Sequence, residues 1–170
     1  MKRKLSKIYT PYITLIFTLI IPLICTLSVN AEEIKAPSYM VKIIDGDSLE
    51  INSIQIRLQG IDSPEYTQSC KLSPKQTTPC GKHSIEYLKD LIKDKTITCT
   101  LHSKDKYNRE LCTCYADDTN INQALVKNGY ALSYLSNEYK NEELYAKKHK
   151  LGIWNTKFMH PRLFRQLNSK

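Results

Sequence analysis

The sequence has no Cys-x-x-Cys pair and no grouping of histidine with cysteine at zinc-ligand spacing, which argues against a structural zinc site. It has no internal repeat and no low-complexity tract, which excludes repeat architectures and biased linker-like chains. Acids are absent from the first 31 residues, where Lys2, Arg3, Lys4 and Lys7 precede an uncharged run from Ile8 to Val29. A basic start, an apolar stretch and Val29-Asn30-Ala31 at its end read as a secretory signal removed after Ala31. The run is long for a signal and nearly spans a bilayer, so a membrane anchor over residues 8–29 is the rival reading. Cys25 makes a poor lipoprotein site, because Ile24 stands before it where a small residue is expected.

What remains is of single-domain size within a chain of 170 residues, enough to close one hydrophobic core. Leaving out the four basic residues of the signal reduces the formal charge from +8 to +4, an excess that permits a polyanionic partner without requiring one. Five of the six cysteines lie beyond the signal, and an oxidising compartment favours disulfides among them. Cys70 and Cys80 bracket the polar loop KLSPKQTTP, where a bridge contributes roughly 2 to 3 kcal/mol. Cys99 is expected to pair across a hairpin with Cys112 or Cys114, leaving one thiol over.

Residues 32–38, EEIKAPS, read as a flexible segment, too polar and too short to pack. YMVKII, DSLEI and QIRLQGI then alternate as three short strands with Asn52-Ser53 as a tight connection. Residues 66–79 read as a loop rich in Pro, Ser and Thr. Ile85, Leu88, Leu91 and Ile92 form one stripe of a helix over about 81–93. KTITCTL and RELCTCY make a second hairpin, and a helix capped by Asp118 or Thr119 runs to Gly129. A last helix spans about 138–150. Five strands with a helix between the third and fourth suit a small closed α+β barrel of the OB type, and the pattern alone also permits an open α+β sheet.

Between those strands lies DGDSLEINSIQIRLQGIDSPE, residues 45–65, where Asp45, Asp47, Asp62 and Glu65 gather around Arg57. Asp-Gly turns are ordinarily structural. A meander, however, folds the corner at 62–65 back to the end where the second strand begins at Asp47. Carboxylates meeting there repel unless a cation lies between them, and a hard cation such as Ca²⁺ takes oxygen ligands. Arg57 offers a planar fork suited to a phosphate.

The series VKIIDGDSLEI, IRLQGIDSPE, CGKHS, DKYNREL, INQALVKNGYA and KLGIW, followed by F, P and R, resembles the staphylococcal nuclease (thermonuclease) family from about Met40 to Arg165. The resemblance implies a five-stranded OB-fold β-barrel with three α-helices over residues 39–166, and a Ca²⁺-dependent nuclease acting on DNA and RNA to leave 3′-phosphates. It implies Asp47 and Asp62 as calcium ligands through their side chains, and Ser63 through its backbone carbonyl. Glu65 becomes the general base, Arg57 and Arg109 the phosphate-binding catalytic arginines, Asp45 a supporting acid behind the ligands, and Tyr107 a neighbour of the bound nucleotide. Asn108 replaces the family's usual glycine but tolerates a left-handed turn. A secreted or periplasmic monomer is expected, with no protein partner implied and with membrane attachment only if residues 8–29 stay uncleaved. The alternative is a non-catalytic OB module binding nucleic acid or protein; the intact Asp47, Asp62 and Glu65 favour the enzyme.

Overall fold

The computed structural model describes residues 32–168, so the expected signal or anchor lies outside the described residues. Strand β1 is Glu33–Pro37, followed by β2 (Val41–Asp45), β3 (Ser48–Ile51) and β4 (Ile54–Leu58). The turn between β3 and β4 is made by Asn52 and Ser53 at φ 51 and 64, the paired left-handed conformation that matches the twist of a two-residue hairpin. A short β5 (Ile61–Asp62) precedes a hairpin of β6 (Cys70–Ser73) and β7 (Gln76–Thr78). Helix α1 (Cys80–Ile92) leads to the long hairpin of β8 (Thr96–Lys104) and β9 (Glu110–Ala116). The chain ends with β10 (Thr119–Asn120), α2 (Ile121–Lys127), β11 (Leu132–Ser133), α3 (Lys140–His149) and α4 (Pro161–Asn168).

The main sheet has the order β1-β8-β9-β4-β3-β2, with β10 added to β9. Its β4–β9 pairing is parallel and its other pairings are antiparallel. The fold is therefore α+β, a curled half-barrel of the OB type with helices packed on it, as the alternation of the sequence predicts. Leu49, Ile51, Ile56, Leu58, Ile97, Leu88, Ile121 and Leu125 are fully buried between sheet and helices. Each such side chain stabilises the fold by roughly 1.5 to 3 kcal/mol. Buried Asn122 locks α2 to the sheet, donating to the carbonyls of Gln59 (2.9 Å) and Cys112 (3.1 Å) and accepting from the Cys114 N–H (3.1 Å).

Several expectations need correction. Residues 33–37 are not flexible: β1 pairs with β8 from Glu33 opposite Thr100 to Pro37 opposite Thr96, and Ala36 is buried. The β8 edge offers unpaired backbone groups, and polar side chains are normal on a strand whose stability comes from those bonds. The loop at 66–79 contains the β6–β7 hairpin, whose Lys71 exchanges two 2.8 Å backbone hydrogen bonds with Lys157. The α-helices number four among the described residues, because α4 forms after His160. The cap of α2 is Asn120, which accepts from the Gln123 N–H at 2.9 Å.

The Cys70–Cys80 bridge forms as expected. Cys99 bonds Cys114, because the register sets these two directly opposite while Cys112 faces Leu101. Cys112 is the leftover thiol, buried and pushed up to about 12 by that burial with the Glu110 charge adding.

Candidate active site

The acid turn is held in place by close packing. A Cβ on Gly46 would lie 2.6 Å from the Ser63 Oγ and 2.8 Å from the Ser84 Cβ, so only glycine lets the turn between β2 and β3 press on the corner after β5 and on α1. Asp47 then reaches both neighbours: its Oδ2 accepts the Ser63 N–H at 2.7 Å and its Oδ1 accepts the Ser48 hydroxyl at 3.2 Å. Asp45 receives the Gly46 N–H at 2.8 Å. Burial pushes its carboxyl up to about 6, with the Glu65 charge adding and the Gly46 bond opposing.

Arg57 braces the two corners. It stands opposite Ser48 in the β3–β4 register, with its side chain only 12% exposed. One Nη pairs with the Asp47 carboxylate; the other donates to the Asp62 Oδ1 and to the Ile61 carbonyl, both at 3.1 Å. Burial lowers its pKa and the charges of Arg109 and Arg165 add to this, against the Asp62 carboxylate. Asp62 itself is buried completely.

Glu65 sits one turn further on, where its N–H donates to the Gln68 Oε1 at 3.3 Å. A Cβ on Gly81 would fall 1.8 Å from the Glu65 carbonyl oxygen. The first turn of α1 thus lies directly against the Glu65 backbone, and any side chain at 81 displaces that residue.

Arg109 arrives from the β8–β9 turn, in which Asn108 adopts φ 64 as expected. The Asp105 Oδ1 gathers the N–H groups of Tyr107 (2.9 Å) and Arg109 (3.0 Å), and its Oδ2 accepts the Arg109 Nε at 2.8 Å. The Arg109 Nη1 reaches the Ser48 Oγ at 3.4 Å, so Ser48 links Arg109 to Asp47. Tyr107 is 68% exposed, and its ring lies 5.6 Å from the Arg109 guanidinium. Asp45, Asp47, Arg57, Glu65, Tyr107 and Arg109 line one cleft of about 1250 Å³. Asp62 and Ser63 are buried beside it.

A third arginine belongs to the same cleft and has no assigned role in the sequence reading. Arg165 of α4 bonds the Asp62 Oδ1 at 2.9 Å, the Asp62 Oδ2 at 3.2 Å and the Glu65 Oε1 at 2.6 Å. Burial works to lower its pKa, but the bonds and charges of Asp62 and Glu65 outweigh it and raise the pKa above the ordinary arginine value. The one signal for it is its position as the final match of the motif series, about 100 residues beyond the acids.

The donors here are oxygens throughout. Among the described residues no three His, Cys, Asp or Glu side chains converge as a metal cluster. A cation seated here would draw on Asp47 and Asp62 and complete its shell from the Ser63 carbonyl and water, the habit of calcium rather than zinc. The buried Ser63 Oγ, without a hydrogen-bond partner, leaves polar capacity beside that donor set. The residues fit a hard divalent ion.

Residues 55–156 match the family described as Staphylococcal nuclease homologue, a span that includes Arg57, Asp62, Ser63, Glu65, Tyr107 and Arg109. A protein named "Uncharacterized endonuclease" from Escherichia coli O157:H7 is 32% identical over 127 residues, covering 68% of this chain and 75% of its own length. One of the same name from Haemophilus influenzae is 32% identical over 126 residues, covering 68% of this chain and 64% of its own. Endonuclease YhcR of Bacillus subtilis is 33% identical over 133 residues, which cover 67% of this chain and 11% of that protein.

Proposed function

The chain belongs to the Staphylococcal nuclease homologue family, and from that premise we propose that it is a calcium-dependent endonuclease hydrolysing DNA and RNA to 3′-phosphate products. Nuclease activity itself rests on the family and on the endonucleases that the chain resembles. Calcium, the two substrates and the product ends rest on the family resemblance and on the chemistry of the cleft.

A phosphodiester is an anion that repels an attacking hydroxide, so its catalyst must neutralise the non-bridging oxygens and remove a proton from water together. Arg57 and Arg109 serve the first need. They come from β4 and from the β8–β9 turn, and Ser48 stands between them. Their planar forks match two phosphate oxygens in a way that an ammonium cannot. Glu65 serves the second, accepting the proton of the attacking water, a contribution of typically 10²- to 10⁴-fold. Asp47 and Asp62 would hold calcium with the Ser63 carbonyl. The ion supplies positive charge to the phosphate when bound. Asp45 fixes the Gly46 turn behind them, and exposed Tyr107 flanks the nucleotide.

The observation that carries this reading is the shared cleft: two arginines, the proposed base and Asp47 open into one space of about 1250 Å³. The setting we infer is secreted or periplasmic, supported by two disulfides; among the described residues no helix is long and apolar enough to cross a membrane. The test is hydrolysis of DNA in calcium and in excess chelator. Cleavage only in calcium is expected. Full cleavage in chelator contradicts the metal assignment, and tight DNA binding without cleavage in calcium favours a non-catalytic binding module.

A further inference from the structure

Arg165 occupies an unusual position for a residue of a terminal helix. Of α4 only Pro161 is buried, while Leu163 and Leu167 are 45% and 58% exposed. The helix therefore buries little apolar surface, and Arg165 ties it to the cleft through Asp62 and Glu65. The segment leading to it is fastened more firmly. Buried Gln68 donates to the Met159 carbonyl at 2.7 Å, and the Lys71–Lys157 backbone pair ties it to the hairpin that Cys70 and Cys80 bridge.

The Asp62 carboxylate is thereby largely taken up by guanidinium. Its Oδ1 accepts from Arg57 and Arg165 and its Oδ2 accepts from Arg165, which takes three of the roughly four lone-pair directions of a carboxylate. A divalent ion on Asp62 needs one of those directions for itself. It would also lie a few ångströms from the Arg165 charge, a like-charge contact that costs energy near a poorly hydrated site. Arg57 is fixed by the sheet and by its bond to Asp47. Arg165, 38% exposed and on a helix that buries little apolar surface, is the guanidinium that can leave.

We propose that Arg165 is an internal counter-cation for the acid cluster: it holds Asp62 and Glu65 when no metal is bound, and calcium displaces it from Asp62. The proposal rests on the calcium reading of the site. Binding of the ion and docking of Arg165 on Asp62 are then competing events, and removing Arg165 favours the ion. It also leaves the metal-free cluster short of positive charge.

The test is calorimetric titration of calcium chloride into the purified wild-type and Arg165→Gln proteins, with thermal melts of both in calcium and in chelator. The expected result is calcium binding about tenfold tighter in Arg165→Gln, the factor that corresponds to ~1.4 kcal/mol of relieved competition. The variant should melt below wild type in chelator, and the gap should narrow in saturating calcium. Equal or weaker calcium binding by a folded Arg165→Gln protein overturns the proposal and leaves the calcium reading standing. Absence of binding heat with either protein overturns the calcium reading and this inference with it. If Arg165→Gln does not fold, Arg165→Lys replaces it: a shorter, single-point cation competes less well for Asp62, so that variant should still bind calcium more tightly than wild type, and unchanged affinity overturns the proposal.

Discussion

Two acids in this protein are each held by two basic side chains, and the two settings differ in reach, chemistry and crowding. Glu143 in α3 is bonded by Lys140 at 2.7 Å and Lys147 at 3.0 Å, three residues before it and four after. Asp62 is bonded by Arg57 and Arg165, five and 103 residues away. The α3 group is local, uses ammonium ions that remain about half in water, and gathers around a single acid. The cleft brings together strands and helices from the whole chain, uses guanidinium forks, and crowds Asp45, Asp47 and Glu65 beside Asp62. Local pairing of this kind steadies a helix by a few tenths of a kcal/mol per pair. Long-range assembly of several acids and arginines around a cleft ties distant elements together and crowds like charges in one place, which local helix pairing does not.

Replacing guanidinium by ammonium should expose that difference. In the cleft, Arg109→Lys is expected to lower kcat on DNA by about 10²- to 10³-fold, because the proposed phosphate contact needs the fork, with only a small fall in melting temperature from the weakened Asp105 contacts. Arg57→Lys should lose a similar factor and also melt earlier, since Arg57 ties the carboxylates of Asp47 and Asp62 together. Turnover near wild type in both variants removes the arginine clamp from the mechanism.

The disulfide hairpin gives a smaller effect and tests how the cleft is supported. Cys70→Ser with Cys80→Ser should cost roughly 2 to 3 kcal/mol in denaturant unfolding, from loop closure. An unchanged midpoint would show that the bridge adds nothing to the stability of the fold.

The smallest change belongs to α3. Burial alone would raise the Glu143 pKa, but the bonds and charges of Lys140 and Lys147 outweigh it and hold the carboxyl below its ordinary value. A carboxylate of depressed pKa stabilises the fold above its unfolded value, about 4.3, and that contribution is lost as pH falls through the folded one. Glu143→Gln should therefore cost about 0.5 to 1 kcal/mol near neutral pH, discounted for the exposed lysines. Urea titrations should show the deficit shrinking below about pH 4. A deficit independent of pH contradicts the ion-pair account, and no change in nuclease activity is expected.

How far the sequence discloses these features follows the same division. The meander, α1 and the β8–β9 hairpin are legible because alternation and a 3.6-residue stripe are local signals. Asp47, Arg57, Asp62 and Glu65 are legible because a short meander must return the 62–65 corner to Asp47. Strand β1 is hidden because its alternation, Glu33-Ile34-Lys35-Ala36, is too short to stand out and its partner lies some 60 residues on, at Thr96–Thr100. The choice of Cys114 over Cys112 depends on the register of β8 against β9, which alternation alone leaves open. Arg165 was hidden for the same reason as β1: its partners are set by how α4 docks, not by spacing.

The central claim is that the acids and arginines of the cleft form a hydrolytic site with Glu65 as its base. It is tested most directly by single-turnover cleavage and equilibrium binding of one DNA substrate, measured in saturating calcium for wild type and for Glu65→Gln. The account predicts binding within a few-fold of wild type and a cleavage rate lower by about 10²-fold or more, the usual cost of losing a positioned base. A Glu65→Gln protein that cleaves within tenfold of the wild-type rate would contradict it.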